Sequence, residues 1–166
     1  MSLVSKLVLV IFSLGANHHG FALDQDKKQT IYFTAGVIEW EQISHRGTFN
    51  GNVSFKQGST ELYASHGTTQ GDEHNQFNEV ILLGEKNNQA HFLTIPKDNE
   101  KEVHAYADKM IYLPQKKLIQ LYGNVYVTQG RYHFRAPYLQ YDLEKKKLIT
   151  QSSATEKTTV IVDPEK

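Results

Sequence analysis

Along most of the chain apolar side chains alternate with polar ones, as in Ile31, Phe33, Ala35; Val53, Phe55; Thr60, Leu62, Ala64; and Tyr132, Phe134, Ala136. A period of two puts every second side chain on the same face, the mark of strands with one buried and one wet side. The alternating runs are short and are separated by turn-forming clusters: Gln57-Gly58, Gly71-Asp72-Glu73-His74-Asn75, Asp98-Asn99-Glu100-Lys101 and Glu144-Lys145-Lys146-Lys147. No window of a dozen residues carries a persuasive 3.6-residue period, so the pattern predicts an all-β chain of many strands. The mainly polar segment from Thr68 to Asn78 reads as a loop.

The strand pattern also repeats. Gly51-Asn52-Val53-Ser54-Phe55-Lys56-Gln57-Gly58 recurs 72 residues later as Gly123-Asn124-Val125-Tyr126-Val127-Thr128-Gln129-Gly130. The same offset places Ala35 on Ala107, Ile38 on Met110, Trp40 on Tyr112, Leu62 on Phe134 and Ala64 on Ala136. Inward chemistry therefore repeats along with the turns, which points to stacked strand-turn-strand units rather than a closed up-and-down barrel. Gly51 and Gly123 stand where a side chain would obstruct a sharp corner or bulge, and Gly58 and Gly130 where a turn needs positive φ.

The first residues break the pattern. Lys6 is the only charge before Asp24, and it borders the apolar run Leu7 to Leu14, which a polar stretch follows as far as Gly20-Phe21-Ala22. A charged start, a short apolar core and small residues before a cleavage point make residues 1–22 a secretory signal peptide, removed after about Ala22. The core is too short for a membrane span, which needs about 20 apolar residues. The expected organisation is a signal segment 1–22, a β domain 23–155, and a C-terminal edge strand and tail 156–166.

Composition narrows the function. With 166 residues the chain suits one modest domain, and its 18 basic against 18 acidic side chains give no footprint for nucleic acid. Zero cysteines remove disulfides, thiolate zinc sites and a cysteine nucleophile together. His45, His66, His74, His91, His104 and His133 include no pair at a metal-ligand spacing of one, three or four. No nucleotide-binding or nucleophile-elbow motif occurs, and the Lys145 to Lys147 run reads mainly as a solvated turn. No catalytic residue, cofactor or metal is therefore assigned. A secreted carbohydrate-active β-sandwich enzyme, which would need a facing pair of carboxylates, and a purely structural envelope module stay open as alternatives.

The run Thr48-Phe49-Asn50-Gly51-Asn52-Val53-Ser54-Phe55-Lys56-Gln57-Gly58, followed by Leu62-Tyr63-Ala64, resembles the OstA-like family. Its second copy, Leu121-Tyr122-Gly123-Asn124-Val125 to Gln129-Gly130 with Ala107-Asp108-Lys109-Met110-Ile111-Tyr112 upstream, extends the resemblance over about residues 29–153. The resemblance implies a twisted, open β-jellyroll of two packed antiparallel sheets. It also implies a periplasmic protein that carries lipopolysaccharide from inner to outer membrane, with the lipid A acyl chains in an apolar trough. Partners would be OstA-type domains, LptC-like at the inner membrane and LptD-like at the outer, and further copies of the chain joined head to tail.

The residues themselves are compatible with a trough. With no helix to cover a sheet, the large apolar set must lie between two layers, and an opening between them would expose a greasy seam. The candidate lipid-binding positions are Ile31, Phe33, Val53, Phe55, Leu62, Phe92, Met110, Tyr112, Leu121, Val125, Val127 and Phe134. Of these, Ile31, Phe92 and Tyr112 rest on the resemblance. The first mature strand, Thr30 to Thr34, and the last, Thr158 to Val162, are β-branched edges suited to pairing with a partner, and pairing of unlike edges builds open chains.

Overall fold

Among its described residues the computed structural model has twelve strands: β1 (Ile31–Thr34), β2 (Val37–Glu41), β3 (Arg46–Gln57), β4 (Thr60–Gly71), β5 (Phe77–Leu83), β6 (Ala90–Thr94), β7 (Val103–Ala107), β8 (Lys109–Leu113), β9 (Leu118–Gln129), β10 (Tyr132–Asp142), β11 (Lys147–Gln151) and β12 (Thr159–Val162). The structure describes residues 29–165 apart from 75, 96–100, 143–144 and 146, so the signal segment and its cleavage point lie outside the described residues. All strand pairs are antiparallel and belong to one continuous hydrogen-bonded sheet.

Four long strands fold that sheet into two layers. The first layer joins β2, β5, β8 and β11 to residues 46–50 of β3, 66–71 of β4, 118–122 of β9 and 138–142 of β10. The second joins β1, β6, β7 and β12 to the other halves of the same four strands. Each long strand thus crosses a corner. Register shifts fall at that corner, between Asn50 and Val53 of β3 and opposite Ala136 to Tyr138 of β10. Gly51 and Asn52 have φ of 76° and 50° there, and Gly123 and Asn124 have 73° and 47°. Glycine and asparagine tolerate this left-handed backbone best, so the repeated Gly-Asn pair is what lets a strand turn from one layer into the other.

Backbone bonds stitch the corner into a spine: Gly36 N–H to Gly51 C=O at 2.7 Å, Gly84 N–H to Asp108 C=O at 2.9 Å and Asp108 N–H to Gly123 C=O at 3.0 Å. No strand pairing among the described residues joins the opposite lips. The result is a jellyroll closed along one side and open along the other, as the resemblance implies, with the two sheets realised as layers of one folded ladder.

The core lies between the layers. Val53, Leu62, Ala64, Val80, Leu82, Val103, Ala105, Met110, Leu121, Val125, Val127, Phe134 and Leu139 are buried there. Two expectations need correcting. The segment from Thr68 to Asn78 is mostly strand: Thr68–Gly71 completes β4 and Phe77–Asn78 begins β5, with a turn at Glu73 and His74 between them. Its polar composition hides strands because the inward positions here are the small Gly67, Thr69 and Gly71, held by pairing to both β3 and β5. The two edge strands are each one residue shorter than expected, beginning at Ile31 and Thr159.

Candidate functional site

The interior seam between the layers collects the apolar positions singled out from the sequence. Val53, Leu62, Met110, Leu121, Val125, Val127 and Phe134 are buried in it, and Phe33, Phe55, Phe92 and Tyr112 pack against it while partly exposed. Ile31 stands apart at the end of β1, 40% exposed. Position along the seam decides the difference: strands in the middle of the ladder are covered on both sides, whereas β1 is paired only through β3.

At the N-terminal end the seam is aromatic. Phe33 stacks on Phe49 with ring centroids 5.1 Å apart, meets Phe55 edge-on at 5.1 Å and Phe77 edge-on at 6.0 Å. Phe33 and Phe55 come from the second layer and Phe49 and Phe77 from the first, so the cluster ties the layers together with an adaptable apolar surface. The sequence reading missed Phe49 and Phe77, together with Val80, Leu82 and Leu139. The apolar run Val80 to Leu83 was available as a signal for Val80 and Leu82, and the repeat was available for Phe49, whose counterpart 72 residues on is Leu121.

Polar groups inside the seam are few. The Thr60 and Thr94 hydroxyls bond to each other at 3.0 Å, and the buried Thr69 hydroxyl has no hydrogen-bond partner among the described residues. Burial beside the Asp142 carboxylate pushes the Tyr141 hydroxyl up to about 12, so it is neutral at physiological pH. An interior of this kind can hold hydrocarbon and offers no charge to a polar substrate.

Charged side chains stay outside. Lys145 pairs with Asp142 at 3.3 Å within its own turn, the behaviour of a solvated hairpin. His66 pairs with Glu85 at 3.0 Å, His104 with Glu102 at 3.2 Å and His133 with Asp163 at 3.0 Å, each on a separate part of the surface. No group of three or more metal-ligating side chains is brought together among the described residues. No helix among them is long and apolar enough to cross a membrane.

Residues 32–147 match the family described as LptA/(LptD N-terminal domain) LPS transport protein. The chain belongs to this family. The lipopolysaccharide export system protein LptA of Escherichia coli (strain K12), like that of Shigella flexneri, is 27% identical over 159 residues, covering 96% of this chain and 84% of the relative. Among solved structures, LptH of Pseudomonas aeruginosa, the periplasmic LptA-homologous component of the lipopolysaccharide transport device, superposes with a TM-score of 0.75. It is 19% identical and the alignment covers 84% of this chain and 99% of that one, so the LptA-type fold is shared almost end to end. The match spans both copies of the Gly-Asn corner of this chain, Gly51-Asn52 and Gly123-Asn124.

Proposed function

We propose that this chain is a periplasmic, non-enzymatic carrier of lipopolysaccharide, that it holds the lipid A acyl chains in the seam between its layers, and that copies and partner domains join end to end into a bridge from inner to outer membrane. The observation that carries the reading is the apolar seam of a chain in the lipopolysaccharide transport family, closed along its spine and unpaired at its lips. Each methylene moved from water into such a seam contributes about 0.8 kcal/mol, so acyl chains bind tightly without a polar code. Seven of the twelve candidate lining residues are fully packed. An occupant therefore enters by displacing the partly exposed Phe33, Phe55, Phe92 and Tyr112, and these are the positions most suited to direct contact.

The repeat supports joining end to end. Inside the molecule β5 covers the outer edge of β8, and β6 covers that of β7. At the 72-residue offset the counterparts of β8 and β7 are β2 and β1, whose outer edges pair with no strand among the described residues. The strands placed like β5 and β6 in the second half are β11 and β12, whose outer edges likewise pair with no strand among the described residues. A second copy, or an OstA-type domain of an LptC-like or LptD-like partner, could therefore continue both layers at either end by strand addition. Such a joint would be heterologous, which makes open chains.

The test is retention of lipopolysaccharide and of isolated lipid A by the purified chain on gel filtration. Saturable co-elution of both is expected, weakened by Phe55→Asp with the fold intact. Failure of the folded protein to retain either would overturn the carrier reading. Phe134 is 2% exposed, so a charge there would test the core rather than the seam.

A further inference from the structure

Beside the spine a cleft of about 990 Å³ opens next to the turn joining β5 and β6, its lining reaching Val53 and Ala64 at the margin of the core. One wall is aromatic. Tyr63 of β4, His91 of β6 and Tyr106 of β7 are direct cross-strand neighbours. Each alternates with buried residues of the core, Leu62, Ala90 and Ala105 among them, so all three face away from the seam. Their rings lie nearly parallel, at 22° between Tyr63 and His91 and 2° between His91 and Tyr106.

The facing wall is made of primary amides. Gln89 Nε2 donates to Asp108 Oδ1 and to the Asn124 carbonyl, both at 3.0 Å, and Asn124 Nδ2 donates to Asp108 Oδ2 at 2.7 Å. The Asp108 charge is thus held by amides, and the side-chain carbonyl oxygens of Gln89 and Asn124 remain to accept. The repeat makes Asn52 different. It is the counterpart of Asn124, but the counterpart of Asp108 is Gly36, so Asn52 has no carboxylate to hold and its amide makes no side-chain hydrogen bond among the described residues.

We propose that this cleft binds an oligosaccharide, seating sugar C–H faces against Tyr63, His91 and Tyr106 and sharing hydroxyls with Asn52, Gln89 and Asn124. A sugar ring combines an apolar face with hydroxyls that both donate and accept, which is the pairing these two walls offer. The cleft suits other classes poorly. Lys86 is its one lysine or arginine and is offset by Glu85 and Asp108, so phosphates and nucleic acid find no cationic cluster. A hydrocarbon chain would leave the amides unpaired. The inference does not rest on acyl-chain binding in the seam. Two sources share the chemistry: the saccharide portion of lipopolysaccharide and the glycan strands of the cell wall.

Calorimetric titration of the purified chain with delipidated lipopolysaccharide core oligosaccharide, and separately with soluble chitooligosaccharide as the wall-glycan probe, tests the site. Saturable binding of one or both is expected, and the probe that binds names the source. Tyr106→Ala should weaken it about tenfold through lost ring contact. Asn52→Gly, which removes the amide while keeping a residue that accepts φ of 50°, should weaken it about threefold to tenfold and leave thermal melting close to wild type. Lipid A retention by Asn52→Gly should be unchanged, which separates this site from the seam. No binding of either probe by folded protein, or equal binding by wild type and Asn52→Gly, would overturn the proposal.

Discussion

The junction in the middle of the molecule and the faces at its two ends are built from equivalent strands and differ only in what covers them. At the junction, β5 and β8 bring Leu82 opposite Met110, and Met110 is 3% exposed. Its counterpart Ile38 on β2 has the same alternation and the same pairing to a long strand, but no strand on its other side, and is 50% exposed. Trp40, counterpart of Tyr112, is 48% exposed. Burial in this fold is therefore conferred by the next unit along the ladder rather than by the strand's own sequence. An apolar end face without that unit is a surface to which the proposed strand addition would bring the missing cover.

The largest effect should come from emptying the same position in the two settings. Met110→Ala leaves a cavity in a sealed junction and should cost about 2–5 kcal/mol of unfolding free energy. Ile38→Ala should cost well under half of that in dilute protein, because half of the side chain is already in water. Urea denaturation at low concentration compares the two. At high concentration the order reverses for assembly: Ile38→Ala, or deletion of residues 156–166, should shift sedimentation toward the single chain. Equal stability losses for Met110→Ala and Ile38→Ala would refute the equivalence drawn between junction and end.

Smaller, but still a contrast between halves, is the corner glycine. Gly51 and Gly123 share a positive φ, so alanine at either position is strained by roughly 1 kcal/mol. Around Gly51 a β-carbon would meet only Gly36 Cα at 4.0 Å, whereas at Gly123 it would come within 3.1 Å of Asp108 Cβ. Gly123→Ala should thus lower the melting temperature more than Gly51→Ala, and the combination Gly123→Ala with Asp108→Gly should recover part of the gap. Thermal unfolding of the three variants checks it.

Much of the architecture was legible because the repeat is nearly exact in length. Shifting β3 by 72 residues lands on β9 and shifting β2 lands on β8, end to end. The corner glycines were readable for the same reason. Strand pairing across the junction was not, since β5 with β8 and β6 with β7 are non-local partners that no local pattern encodes. Leu139 escaped because the bend changes the count: the inward set of β4 runs through Leu62 and Ala64 and resumes at Gly67 and Thr69, and that of β10 passes from Phe134 and Ala136 to Leu139 and Tyr141. A strict period of two, followed from either end, loses the inner face there. The aromatic wall of the cleft was hidden differently. Tyr63, His91 and Tyr106 occupy polar-side positions on three strands, and only the ladder makes them neighbours.

The smallest predicted effect lies on that wall and contrasts the covered half with the ends. Burial lowers the His91 pKa below its usual value of 6.5, the nearby His104 lowers it further, and Glu61 opposes the change. His104 bonds to His91 at 3.1 Å, so a proton added to His91 meets both a desolvated ring and a neighbouring imidazole. A histidine with a depressed folded-state pKa binds protons more readily when unfolded. Stability is therefore full above pH 6.5 and declines as pH falls through 6.5 toward the lowered folded value. Because the ring is partly solvated the slope should be shallow, seen as a modest drop in melting temperature below pH 6.5. His91→Gln should flatten it. A melting profile over this range that is unchanged by His91→Gln would show that burial by the neighbouring strands does not set the protonation of this wall.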